Sequence, residues 1–330
     1  MIKLPEKIKL ANLPTKIEKL YKTSKELMNT NIYIKRDDHT GIEFSGNKIR
    51  KLEFTIKEAL DKKCDYFITC GALQSNHARA TVSVAAKLGL KSYLILAGEK
   101  NETIDGNYLI NKLLGATIKI IDKTEFKERI DEIMKEAKEK LESEGYSPYI
   151  IPLGASNGIG TFGYFEAMQE IYKQEKGMGI KFDAIVHANG SGGTYAGLFL
   201  ANKLLKMNRE IYGISVSSDK EFFKEKISNI LKSSFEIISQ NIEFENDEIK
   251  IIDEYVGKGY GESREEEINF IKKFAELEGI ILDPVYTGKA MYGLINEIKN
   301  GNMGEHKNIL FIHTGGIYSI FSKKHLFNFK

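Results

Sequence analysis

From about residue 32 onward, short apolar runs alternate with longer amphipathic stretches, and that rhythm admits few folds. Strand-sized segments separated by helix-sized ones need crossover connections, which build parallel sheets with helices on their faces. Strands are expected over residues 32–34, 66–70, 92–97, 117–121, 149–152, 184–188, 211–216 and 309–312, most of them ending in Gly, Ser or Asn. Between two of them, Phe126, Ile130, Ile133, Ala137 and Leu141 recur at steps of three and four, which predicts a helix lying on a sheet with Lys and Glu on its wet face. A chain of 330 residues exceeds what one core usually serves, so two packed domains are expected. The rhythm suggests a larger domain from residues 1–50 and 161–330 and a smaller inserted α/β domain from 51–160.

Bulk chemistry removes several classes of function. With 48 basic against 46 acidic residues the chain is nearly neutral, and its basic runs, such as those in residues 9–19, are broken by apolar or acidic residues. No nucleic-acid footprint follows from that pattern. The charged start and the lack of a long apolar stretch point to a cytoplasmic protein with no membrane partner. Cys64 and Cys70 are the only cysteines, and both adjoin an apolar strand, so they are expected to be buried free thiols. The six histidines have no zinc spacing, and no metal is expected.

The most informative single residue is Lys48, in Phe44-Ser45-Gly46-Asn47-Lys48-Ile49-Arg50-Lys51-Leu52. Gly46 removes bulk beside it, Asn47 offers an amide to a polar ring substituent, and Arg50 and Lys51 follow within a turn, where an anion could be held. That setting suits a Schiff base to an anionic aldehyde. A free lysine, with a pKa of about 10.4, is an inert cation at neutral pH, and the neighbouring charges of Arg50 and Lys51 would help lower it. An ordinary surface lysine is the competing reading. A nucleoside-triphosphate loop fails, because Asn47 separates Gly46 from the lysine and Ile49 follows it.

Gly190-Ser191-Gly192-Gly193-Thr194 follows an expected strand and offers bare amides, hydroxyls and a helix start, which is a phosphate cradle. A dinucleotide fingerprint would place a third Gly at Tyr195 and an acidic residue where Ser217-Ser218 stand, so a phosphate without a ribose fits better. Close helix packing alone would also explain the glycines. Gln74-Ser75-Asn76-His77 opens a helix, and Gly154-Ala155-Ser156-Asn157-Gly158 is another polar turn of the kind that holds a carboxylate. No Gly-x-Ser-x-Gly elbow supports a serine hydrolase.

Together with Asp283-Pro284-Val285-Tyr286-Thr287-Gly288-Lys289-Ala290 and His313-Thr314-Gly315-Gly316, these segments resemble, in order and over nearly the whole chain, the pyridoxal-phosphate enzymes of the D-cysteine desulfhydrase and 1-aminocyclopropane-1-carboxylate deaminase family. The resemblance implies an α/β fold of the tryptophan-synthase-β type (fold type II), with two open, twisted, mostly parallel sheets flanked by helices. It implies pyridoxal 5'-phosphate on Lys48, with Asn76 near the 3-hydroxyl and Ser191, Gly192, Gly193 and Thr194 with Lys51 around the phosphate. Thr314 would face the pyridine nitrogen, and a homodimer is implied as well. The substrate, a small amino acid, would be met by Ser75, Asn76, His77, Ser156, Tyr260 and Thr287. Lys48, Ser75 and Tyr286 would be the catalytic residues, with Lys48 taking the α-proton and Tyr286 stacking near the ring or assisting proton transfer. Within the family, the deaminases carry Glu at Thr287, Leu at Thr314 and usually Gln at His77, so the resemblance leans toward D-cysteine cleavage. Helix capping, a strand-end hydroxyl and packing are the plain readings of Thr287, Thr314 and the two tyrosines. A non-catalytic sensor on the same fold and a nucleotide-binding oxidoreductase are the alternatives from other classes.

Overall fold

A computed structural model describes residues 3–99, 101–240 and 242–329. Strands β1 (Ile17–Lys19), β2 (Asn31–Lys35), β3 (Tyr66–Ala72), β4 (Lys91–Ala97), β5 (Thr117–Ile121), β6 (Pro148–Ile150), β7 (Ala184–Asn189), β8 (Glu210–Ser215), β9 (Lys250–Ile252) and β10 (Asn308–Ile312) sort into two sheets. The larger runs β1-β2-β10-β7-β8-β9 and the smaller β5-β4-β3-β6. Every pairing is parallel except β1 with β2. All eight expected runs form strands. The two that pattern reading missed, β1 and β9, are three-residue edge strands carrying Glu18, Lys19 and Lys250, too short and too charged to show as apolar runs.

The large sheet is buried on both faces, which is why its strands read as continuous apolar runs. Tyr33, Ile185, Leu310 and Ile312 point into one core, against the helices Phe162–Met178, Gly193–Leu204 and Lys220–Ile238. Ile32, Ile34, Val186, Ile309 and Phe311 point into the other, against Glu265–Glu278 and Thr287–Lys299. In the smaller unit, the expected helix spans Lys123–Ser143, and the Asp122 carboxylate caps it by accepting from the amides of Thr124 and Glu125 at 2.8 and 2.9 Å. It lays Ile133, Met134 and Leu141 on Tyr66, Ile68 and Cys70 of β3. Both cysteines are buried free thiols.

The helix Asn47–Asp61 joins the two units. Its Ile49, Leu52 and Ile56 enter the smaller unit's core with Phe67, Ala80 and Val84, while Phe54 enters the large one with Phe162 and Phe165. The four-stranded sheet is drawn wholly from residues 66–150, and the expected division between residues 50 and 51 falls inside this bridging helix. Among the described residues, no helix is long and apolar enough to cross a membrane.

Candidate active site

A cavity of about 410 Å³ opens between the sheets, at the carboxyl ends of β3 and β7 and beside the loop that follows β10. Ligands of parallel sheets bind at such ends. Lys48 stands in its wall, in the first turn of the bridging helix. Gly46, at φ 108°, makes that entry possible, because a Cβ there would lie 2.5 Å from the carbonyl oxygen of Thr314. The amide of Asn47 donates to that same carbonyl at 3.1 Å, so the start of the Lys48 helix is fastened to the Thr314 loop. Burial lowers the Lys48 pKa to about 8.

One neighbour of Lys48 does not act as the sequence suggested. Arg50 turns away from the cavity and pairs with Asp37 and Glu170, so desolvation rather than its charge depresses Lys48. The Asn47 amide does line the cavity, and one of its Nδ2 hydrogens is donated to Thr194 Oγ1 at 2.9 Å. Successive side chains on a helix diverge by about 100°, and sequence adjacency does not say which will face a site.

Lys51, one turn beyond Lys48, sits on the side of the glycine loop at Ser191. It is fully buried, and its Nζ donates to Ser156 Oγ at 3.0 Å; Ser156 Oγ in turn lies 2.8 Å from Ser191 Oγ. No carboxylate lies within ion-pair distance of Lys51 among the described residues. Burial, then the charges of Lys48 and Lys226, hold its pKa well below the usual lysine value. Ser191, Gly192 and Thr194 line the cavity, while Gly193 packs behind it on Ser156. Gly192, at φ 84°, turns the chain into the helix Gly193–Leu204, whose first amides carry the positive end of the helix dipole. Ser156 lies off the cavity wall, on the side of Lys51 and Ser191 rather than beside Ser75.

Across the cavity stand Ser75, Asn76 and His77. Ser75 is a genuine helix cap, accepting from the amide of Ala78 at 3.1 Å, and it lines the cavity as well. His77 is buried with Nε2 2.7 Å from Thr69 Oγ1; burial, then the charges of Lys48 and Lys51, push its pKa well below the ordinary histidine value and keep it neutral. Tyr286 and Tyr260 meet hydroxyl to hydroxyl at 2.5 Å, with rings edge to face. Burial, then the neighbouring Tyr260, push the Tyr286 phenol well above its ordinary value. Thr314 lines the cavity, and its hydroxyl has no hydrogen-bond partner among the described residues. Thr287 does not reach the cavity. It is fully buried behind Tyr286, donating to Asp283 Oδ1 at 2.7 Å and accepting from the Asp283 amide at 2.8 Å.

The profile of the family described as pyridoxal-phosphate dependent enzyme matches residues 8–315. The chain belongs to this family. It is 43% identical over 323 residues to the bifunctional D-cysteine desulfhydrase/1-aminocyclopropane-1-carboxylate deaminase, mitochondrial, of Arabidopsis thaliana, covering 95% of this chain and 79% of that one. To the D-cysteine desulfhydrase of Klebsiella pneumoniae it is 38% identical, covering 96% and 95%. The crystal structure of an ACC deaminase homologue superposes with a TM-score of 0.90 at 42% identity, covering 98% of this chain and 96% of that one. The protein is thus a pyridoxal-phosphate-dependent lyase of the deaminase and desulfhydrase group, with the expected fold.

The cavity fits the family's cofactor on its own chemistry. A lysine of lowered pKa stands in the wall, and a buried cation without a carboxylate waits beside a chain of hydroxyls and bare amides, as a phosphate requires. One cavity residue escaped sequence reading: Asn189, at the end of β7, is 1% exposed with neither side-chain polar atom partnered. Its only sequence signal was its place before the glycine loop. Lys123 and Phe126, from the smaller unit, complete one side of the cavity, a contact visible only once the units pack.

Proposed function

We propose that the protein catalyses the α,β-elimination of D-cysteine, converting it with water to pyruvate, ammonia and hydrogen sulfide. One observation carries the choice of reaction. Among the described residues no Asp or Glu lines the cavity, and the group beyond β10, where the pyridine nitrogen would lie, is the unpartnered hydroxyl of Thr314. A neutral hydroxyl leaves that nitrogen unprotonated, which suits a reaction whose leaving group departs promptly from the β-carbon. The choice of D-cysteine leans on the name of the Klebsiella relative.

When bound, pyridoxal phosphate supplies the electron sink that makes the α-C–H bond breakable. Lys48 is the base that takes the α-proton, and a pKa near 8 places its amine in the working range of a general base. The helix start at Ser75, Asn76 and His77 receives the substrate carboxylate. Lys51, Ser156, Ser191 and the amides of Gly192, Gly193 and Thr194 receive the phosphate. Tyr286, kept protonated, would stack near the ring or deliver a proton there, with Tyr260 toward the substrate. Thr287 acts at one remove, through the Asp283 turn that presents Tyr286: Asp283 Oδ2 accepts from the Tyr286 amide at 3.0 Å.

The name of the Arabidopsis relative supports a second reading, ring opening of 1-aminocyclopropane-1-carboxylate to 2-oxobutanoate and ammonia. Sulfide and keto-acid release should be compared across D-cysteine, L-cysteine, D-serine, β-chloro-D-alanine and 1-aminocyclopropane-1-carboxylate. D-cysteine is expected to give the highest kcat/KM. Faster ring opening would reverse the order of the two readings, and preference for L-cysteine would overturn the assigned handedness.

A further inference from the structure

Arg79, in the helix Asn76–Lys87, is fully buried with no carboxylate in ion-pair reach among the described residues, and burial lowers its pKa to about 10. Leaving a guanidinium so placed is costly unless its donors are used. They are used on three partners. Its Nε donates to Asn107 Oδ1 at 2.7 Å, and its terminal nitrogens donate to the carbonyls of Ser45, at 3.0 Å, and Glu43. The face of the Tyr318 ring lies 4.8 Å from the guanidinium.

A guanidinium has donors and no acceptor, so the atom of Asn107 that faces it must be oxygen. The opposite end of Asn107 faces the carbonyl of Gln74 at 2.8 Å, which only accepts and therefore requires nitrogen. The same Nδ2 lies 2.9 Å from the Asn76 side chain, so the Asn76 atom turned toward it is Oδ1. With its oxygen committed, Asn76 has one polar atom left for the cavity it lines, the Nδ2 donor.

We propose that Arg79, acting through Asn107, locks the Asn76 amide with its nitrogen toward the cavity, so that the site presents an N–H donor and never an acceptor to the phenolic oxygen of the cofactor. This rests on the reading that Asn76 meets that oxygen. Arg79 and Asn107 are positioning residues. Because the guanidinium also holds the carbonyls of Glu43 and Ser45, in the segment that leads into Lys48, one buried cation registers both sides of the cavity.

A donor at the phenolic oxygen stabilises its negative charge and so eases loss of the proton shared with the Lys48 linkage. Spectrophotometric pH titration of the bound chromophore in the holoenzyme therefore reads the lock directly. Asn107→Asp is nearly isosteric and gains an ion pair with Arg79, but it offers only acceptors, so Asn76 must turn its oxygen to the cavity. The midpoint should rise by about one unit, the worth of one hydrogen bond to a charged oxygen. Asn107→Leu, which adds no charge, should move it the same way by less. Asn76→Ala should raise it alone, and Asn107→Asp should add nothing in that background. No shift in Asn76→Ala would sink the reading of Asn76 itself. A shift there with none in either Asn107 variant would overturn the lock, as would an Asn107→Asp effect that survives in the double variant, since the new charge would then be acting directly.

Discussion

The bridging helix carries two buried basic residues, Arg50 and Lys51, and the half-buried Lys48 within four residues, and its two sides treat them oppositely. On one side Arg50 lies in a complete ionic network. Its guanidinium donates to both oxygens of Asp37 at 2.8 and 2.9 Å and to Glu170 at 3.0 Å; Lys35 reaches Glu170 at 2.6 Å, and Thr15 and Tyr164 donate to Asp37. Burial opposes the Asp37 carboxylate, but the charges of Arg50 and Lys35, with hydrogen bonds from Arg50 and Tyr164, bring its pKa down to about 2. On the other side Lys48 and Lys51 face hydroxyls, amides and space. A buried charge with its counter-ion holds a fold together, whereas one without it is costly until an anion or an aldehyde arrives. The same residue chemistry is paired on one face and left open to a ligand on the other.

The largest effect should come from Lys48→Ala. Borohydride should fix pyridoxal phosphate to a single Lys48 peptide in the wild type, and the variant should lose that adduct altogether; trapping at another lysine would break the assignment. Next in size, Arg50→Met strands Asp37 and Glu170 and should cost roughly 3–5 kcal/mol of unfolding free energy. Lys51→Met, by contrast, should leave the apoprotein at least as stable in urea while weakening pyridoxal phosphate by roughly ten- to a hundredfold, the worth of one charge-assisted hydrogen bond. Equal destabilisation by the two variants would erase the distinction between the faces.

Acid should attack the structural face alone. Asp37 has a folded pKa of about 2 against 3.8 for an ordinary Asp, so its contribution, about 2 kcal/mol, is present above pH 4 and is lost as pH falls toward 2. Asp37→Asn should flatten that part of the stability profile. The smallest effect belongs to Lys48, whose neutral form would attack the aldehyde. With a pKa lowered to about 8, the rate at which apoprotein captures pyridoxal phosphate should climb about tenfold per pH unit below 8 and level off above it. A climb continuing to pH 10 would show an unperturbed amine.

Much of the site was legible because its pieces are local. The glycine loop before Thr194, the polar turn at Ser75 and the setting of Lys48 announce themselves within five or six residues. What stayed hidden depends on direction. Arg50 and Lys51 are neighbours in sequence yet serve opposite faces; Thr287 looked like a substrate contact until Asp283 was seen to occupy its hydroxyl. Asn107 lies 31 residues from Asn76 and in no recognisable motif, so its hold on that amide had no local signal.

The sequence by itself determined the alternation of strands and helices, the helix-start turns and the candidate for the reactive lysine, because these follow from periodicity, capping and residue chemistry within a few positions. Only the tertiary structure decided the strand order, the partner of each buried charge and the orientation of the Asn76 amide. Those depend on which distant atoms come within about 3 Å of one another when two sheets close around a cavity.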